Sequence, residues 1–193
     1  GDEEVSVARV RPGADQAPPD VALETLRTRT GDTISHVRAG GAGTLIATTR
    51  SGRLYLWEVG DEATRLGDVV AVGPAPLTAV EWGLGGRTVI VGDEQGRVSS
   101  WFQPRTSPEA GLTLVKAADF ETQRSAVVSI DPSSRERSFV TGAADGSLVL
   151  RHLTSGRTLL RFPGTGSAVS IARLTPRADG MLALRADGTL DRY

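Results

Sequence analysis

The chain has 193 residues, 39% of them hydrophobic and 23% charged, with a formal net charge of −1. That balance suits one globular domain with a buried core, excludes compositional disorder, and gives no attraction to nucleic acid or to an anionic membrane surface. The absence of Cys removes disulfides, thiolate nucleophiles and Cys-ligated zinc.

From the N-terminus, "EEVSVARV" (residues 3–10) alternates as a strand would, and "PGADQAPPD" (12–20) reads as a loop from its Pro, Gly and Asp content. Residues 1–20 are therefore expected to stand as a remnant ahead of a domain over 21–193. The first residue is Gly and the only Met is Met181. The sequence is thus expected to come from inside a longer gene product. No run within it reaches the roughly 18 apolar residues of a membrane span.

The next stretch is repetitive. "TLIATTRSGRLYLW" (44–57) aligns without a gap to "TVIVGDEQGRVSSW" (88–101), "SFVTGAADGSLVLR" (138–151) and "GMLALRADGTLDRY" (180–193). The shared frame is a short apolar strand, a polar turn ending in Gly, and a second alternating strand. The turn glycines are Gly52, Gly96, Gly146 and Gly188. Ahead of each hairpin lies an apolar run: "TISHVRA" (33–39), "LTAVEWG" (77–83), "AVVSIDP" (126–132) and "AVSIARL" (168–174). Behind the first three lies a more polar one: "ATRLGDVVAV" (63–72), "LTLVKAADF" (112–120) and "RTLLRFP" (157–163).

Four strands per repeat, A to D, at periods of 40 to 50 residues predict an all-β propeller, or the C-terminal part of a larger one, with about four blades over 33–72, 77–120, 126–163 and 168–193. The fourth repeat ends in its third strand, so "VALETLRTRT" (21–30) is expected to complete it. An arc of four blades also exposes strand edges, which predicts self-association.

The repeat resembles the WD40 class. "GRLYLW" (52–57) and "GRVSSW" (96–101) match that family's Gly-to-Trp end of strand C. Arg151 and Tyr193 replace the Trp in the last two repeats, and no Gly-His pair opens a blade, so the family's buried His–Asp network is not carried over. Over a longer span, "LGGRTVIVGDEQGRVSSWF" (84–102), "TSGRTLLRF" (154–162) and "LTPRADGMLALRADGTLDRY" (174–193) resemble the extracytoplasmic propeller-like region of some proteobacterial phosphate-transport ABC permease components. The resemblance implies a periplasmic domain of a membrane-embedded parent. Its role would be accessory to phosphate uptake, as an interaction platform for the phosphate-binding protein or other transporter subunits. The other reading is a soluble cytoplasmic WD40-like scaffold.

No residue set points to an enzyme, and no cofactor is expected. Gly92-Asp93-Glu94-Gln95-Gly96 lacks the Lys-Ser/Thr and helix of a phosphate loop, and its carboxylates repel an anion, so it reads as a hairpin turn. His36 and His152 have no repeat-equivalent partner for zinc. Asp131 and Glu136 flank "PSSR" as loop residues. Trp57 and Trp101 recur at one position and read as packing residues. Trp82 stands alone on its strand and reads first as a packing residue, with the channel or an interaction face as the other reading. Arg50, Arg53, Arg87, Arg97 and Arg185, on turns and strand ends, read as a solvated surface and would be the contacts for phosphate or an acidic partner if one binds.

Overall fold

The computed structural model describes residues 3–11, 20–41, 43–104 and 111–193, which carry seventeen strands and no helix. A hairpin comes first, β1 (Glu4–Arg11) and β2 (Asp20–Arg27). The first blade is β3 (Ile34–Ala39), β4 (Thr44–Thr49), β5 (Arg53–Val59) and β6 (Thr64–Ala71). The second is β7 (Leu77–Trp82), β8 (Thr88–Asp93), β9 (Val98–Phe102) and β10 (Val115–Phe120). The third is β11 (Val127–Pro132), β12 (Ser138–Ala143), β13 (Leu148–His152) and β14 (Thr158–Phe162). The fourth has β15 (Val169–Leu174), β16 (Met181–Arg185) and β17 (Leu190–Arg192). Each blade is an antiparallel meander in chain order.

The turns between second and third strands explain why this sequence reverses where it does. Gly52, Gly96, Gly146 and Gly188 all have φ between 77° and 86°, the left-handed region that only glycine enters freely. In "GDEQG" the N–H of Gly96 donates to the carbonyl of Asp93 at 3.1 Å. Asp93 Oδ1 meanwhile accepts from the N–H groups of Gln95 and Arg97. The carboxylate therefore sits where a bound anion would have to sit, and the turn is a hairpin reversal.

A second repeat-wide feature is a bulge near the start of each innermost strand. The pairing register slips between Ile34 and His36, Leu77 and Ala79, Val127 and Ser129, and Val169 and Ile171. The slip bends the strand and flips which residues face the propeller axis.

The core lies between blades. On one side of the second strand, Ile46 in blade 1 packs with Leu54 and Leu56 against Val80, Val89, Val91 and Trp101 of blade 2. Blade 2 repeats this with Ile90 and Val98 against Val127, Ile130 and Phe139 of blade 3. Blade 3 does so with Val140 and Leu148 against Val169, Ala172, Met181 and Ala183 of blade 4. Inner strands adjoin in the order β3, β7, β11, β15, and among the described residues no comparable contact joins β15 back to β3. The molecule is an open arc.

One expectation needs correcting. Residues 21–30 do not complete the fourth blade, because β2 pairs with β1 over the full length of both strands, from Glu4 with Arg27 to Arg11 with Asp20. That pairing satisfies the backbone of β2, and Val5, Val7 and Leu26 bury against Leu45, Ala47, Tyr55 and Trp57 of blade 1. The hairpin covers blade 1 as a preceding blade would, and the fourth sheet has three strands. Apart from Asp20, the expected loop over 12–20 lies outside the described residues.

Candidate functional site

The bulge sets up the axis of the arc. Just after it, one repeat position is occupied by Arg38, Glu81, Asp131 and Arg173, which pair across their sheets with Ile46, Ile90, Val140 and Leu182. The four charges join neighbouring blades in pairs. Arg38 Nε donates to Glu81 Oε2 at 3.0 Å, and Arg173 Nη1 donates to Asp131 Oδ1 at 3.0 Å. The Leu174 N–H donates to the other oxygen of Asp131 at 2.7 Å. These strands line a cleft of about 130 Å³ with His36, Ser129 and Ser170.

The cleft is electrostatically balanced and partly dry. Burial pushes the Asp131 carboxyl above its ordinary value, the Leu174 N–H and Arg173 pull it down, and Glu81 adds to the rise. Burial, followed by repulsion from Arg38, pulls the His36 imidazole below its ordinary value. Two cations and two anions at one repeat position leave no excess charge to hold a free ion. What they do is tie blade 1 to blade 2 and blade 3 to blade 4. They also present a polar wall to whatever enters the axis.

The arginines singled out from the sequence do not converge. Arg53 Nη1 donates to the buried Asp32 at 2.7 Å, Arg97 Nε to Asp93 at 2.6 Å, and Arg185 Nε to Asp191 at 2.7 Å. Arg185 is itself buried and further held by the Gly146 carbonyl and the Tyr193 hydroxyl. Arg50 and Arg87 are exposed. Arg50 borders a cleft with Ile34, Pro76 and Glu94, whereas Arg97 borders a separate one with Lys116, Asp119 and Phe120. Trp82 packs at the seam of blades 1 and 2 with Val80 and Val89, so close to Gly40 that a Cβ there would overlap its ring.

The remaining candidates are local. His152 Nδ1 is engaged by the Ser155 N–H at 3.2 Å and the Ser155 hydroxyl at 2.9 Å. Glu136 is an exposed loop residue whose N–H donates to Ser133, well apart in role from the axial Asp131. Among the described residues no group of three or more His, Asp or Glu side chains is placed to hold a metal ion. Nor, among the described residues, is any helix long and apolar enough to cross a membrane. Sequence reasoning missed the axial quartet, although aligning the inner strands on Ile34, Leu77, Val127 and Val169, the first residue of each, puts the four charges in one column.

Arg151 occupies the strand position held by Trp57 and Trp101 in the first two blades. It is fully buried, donates to Thr141 Oγ1, and donates to the Glu121 carbonyl at 2.9 Å. Burial, with repulsion from Arg161, lowers its pKa to about 10. Its two donors tie blade 3 to the connection that leaves the outer strand of blade 2.

No protein-family model matches the chain, and no curated protein sequence matches it significantly. Solved structures do resemble it. Chaetomium thermophilum Sqt1 superposes with a TM-score of 0.78 at 13% identity, covering 100% of this chain and 51% of that one. The β-propeller domain of Myceliophteria thermophila Cps50 (Swd1) gives 0.73 at 12% identity, covering 92% and 61%. The computationally designed Ika4 protein gives 0.67 at 18% identity, covering 84% and 91%. The chain thus spans about half of Sqt1 and three fifths of the Cps50 domain. At these identities the likeness is one of fold, and the fold is a β-propeller arc.

Proposed function

We propose that this chain is a non-enzymatic protein-interaction domain carried at the periplasmic face of the inner membrane by a phosphate-type ABC permease. There it engages the phosphate-binding protein or another transporter subunit. The observation that carries this reading is the segment-level resemblance to such permeases. Its three segments fall in register with the blades: one on the β8–β9 hairpin, one on β14, and one on the β16–β17 hairpin. The fold supports the interaction half of the proposal, since propeller faces offer loops and a polar axis on a rigid frame.

The direct test measures binding of the purified chain to the phosphate-binding protein encoded beside its parent gene, with and without phosphate. Micromolar binding is expected, and no response at saturating concentrations of either form would sink the proposal. Calorimetric titration with phosphate alone is expected to give no binding tighter than millimolar, because Arg53, Arg97 and Arg185 already answer carboxylates of their own. A topology reporter fused to the chain within its parent separates this reading from a cytoplasmic scaffold.

A further inference from the structure

The trailing face of blade 4 is apolar and uncovered. Ile171, Leu184 and Leu190 form one cross-strand row, and Leu182 lies in the next row between Arg173 and Arg192. Ile171 is 44% exposed and Leu190 66%, with Leu182 and Leu184 near 36%. In blades 1 to 3 the same repeat positions face the following blade and are buried, apart from the half-buried His36. Leu54, Val98 and Leu148, the counterparts of Leu190, are at most 2% exposed. The opposite end of the arc has a matching feature. The inner side of the β1–β2 hairpin covers blade 1, while its outer side exposes Val10, Val21 and Leu23 at 53% or more.

We infer that these two ends meet between two copies of this chain, the trailing face of each blade 4 seating on the outer face of the other copy's hairpin. Three observations select that occupant. The arc superposes over its whole length on about half of a longer propeller chain, so two arcs placed end to end span a full circle. At the position of Leu184 blade 1 has the smaller Thr48, and blades 2 and 3 have Gly92 and Gly142, where a Cβ would stand 2.5 Å from Val127 or Val169 of the next blade. Leu184 fills the volume that such a valine would need, so an inner strand with valine at that position does not fit there, whereas a two-stranded hairpin has no inner strand at all. Finally, two trailing faces set against each other would bring Arg173 and Arg192 of both copies together, while the hairpin's outer charges, Glu4 and Arg27, pair with each other at 3.0 Å. The resulting dimer is closed and two-fold symmetric, each contact made twice. Each copy also supplies the half of the axial wall that the other lacks.

Sedimentation velocity on the 193-residue chain tests this. At tens of micromolar the mass is expected at twice 20.3 kDa, and on dilution it falls to 20.3 kDa. Leu184→Glu and Leu23→Glu are each expected to be monomeric at the same concentration, with unchanged circular dichroism because both sites are solvent-exposed. Mixing the two variants restores one intact contact and is expected to return part of the dimer. A wild-type chain that stays monomeric overturns the inference. So does a Leu23→Glu variant that remains fully dimeric, which would mean that trailing faces meet each other.

Discussion

In blade 3 every residue of β12 is buried, whereas in blade 4 the equivalent β16 buries Met181, Ala183 and Arg185 and exposes Leu182 and Leu184. The backbones are alike, with the same pairing, bulge and glycine turn. The blades differ in having, or lacking, a neighbour on the trailing side. Local sequence therefore builds the blade, and the next blade decides what half of its apolar residues are worth.

The sharpest way to break that comparison is at the turns. A methyl group at Gly96 would overlap the Gln123 carbonyl and stand 2.7 Å from that of Ser125, while Gly188 has nothing within 4 Å. Gly96→Ala combines overpacking with left-handed strain and is expected to cost about 4 kcal/mol by chemical denaturation. Gly188→Ala carries the strain alone, about 1 kcal/mol. Equal losses would mean that the neighbouring blade does not press on the turn.

A smaller effect uses one residue type at one repeat position. Leu148→Ala leaves a cavity in a fully buried seam and should cost about 3 kcal/mol. Leu190→Ala, measured at a dilution where the chain is monomeric, should cost under about 0.5 kcal/mol. A large loss at Leu190 would place that face inside the single chain.

The leading end is expected to be acid-sensitive. Burial pushes the Asp32 carboxyl up, but donors from Ser51, Tyr55 and Arg53 outweigh it and hold it below its ordinary 3.8. A carboxyl whose folded pKa is depressed binds protons more readily when unfolded. Its stabilisation is therefore complete above about pH 5 and lost as pH falls through the folded value. Asp32→Asn should cost about 2 kcal/mol at neutral pH and flatten the acid limb of the stability profile. An unchanged acid limb would remove Asp32 as its source.

The sequence carried the blades well because glycine turns and alternating apolar residues are local signals. The fate of residues 21–30 was not local. Their pattern suits any outer strand, and which partner they take depends on whether β1 or β17 lies alongside. The axial quartet was hidden for another reason: the apolar run of blade 2 begins at Leu77, one residue later in the repeat than the runs from Thr33, Ala126 and Ala168, so aligning the runs on their first residues puts Trp82, not Glu81, beside Arg38 and Arg173. The candidate arginines were legible as exposed turn residues only in part, since Asp32, Asp93 and Asp191 reach Arg53, Arg97 and Arg185 through folding.

The exchange of glycine for Leu184 also bears on how such a chain can be rearranged. Blades 2 and 3 carry a gap sized for the valine that follows them, and blade 4 has filled it. Moving blade 4 inward would jam Leu184 against the next strand, and ending the chain on blade 3 would bare Val140 and Leu148. The repeats therefore look interchangeable in sequence but are not so in packing, and a version that sets a valine-bearing inner strand behind blade 4 needs a small residue at 184 first, as Gly92 and Gly142 are in blades 2 and 3.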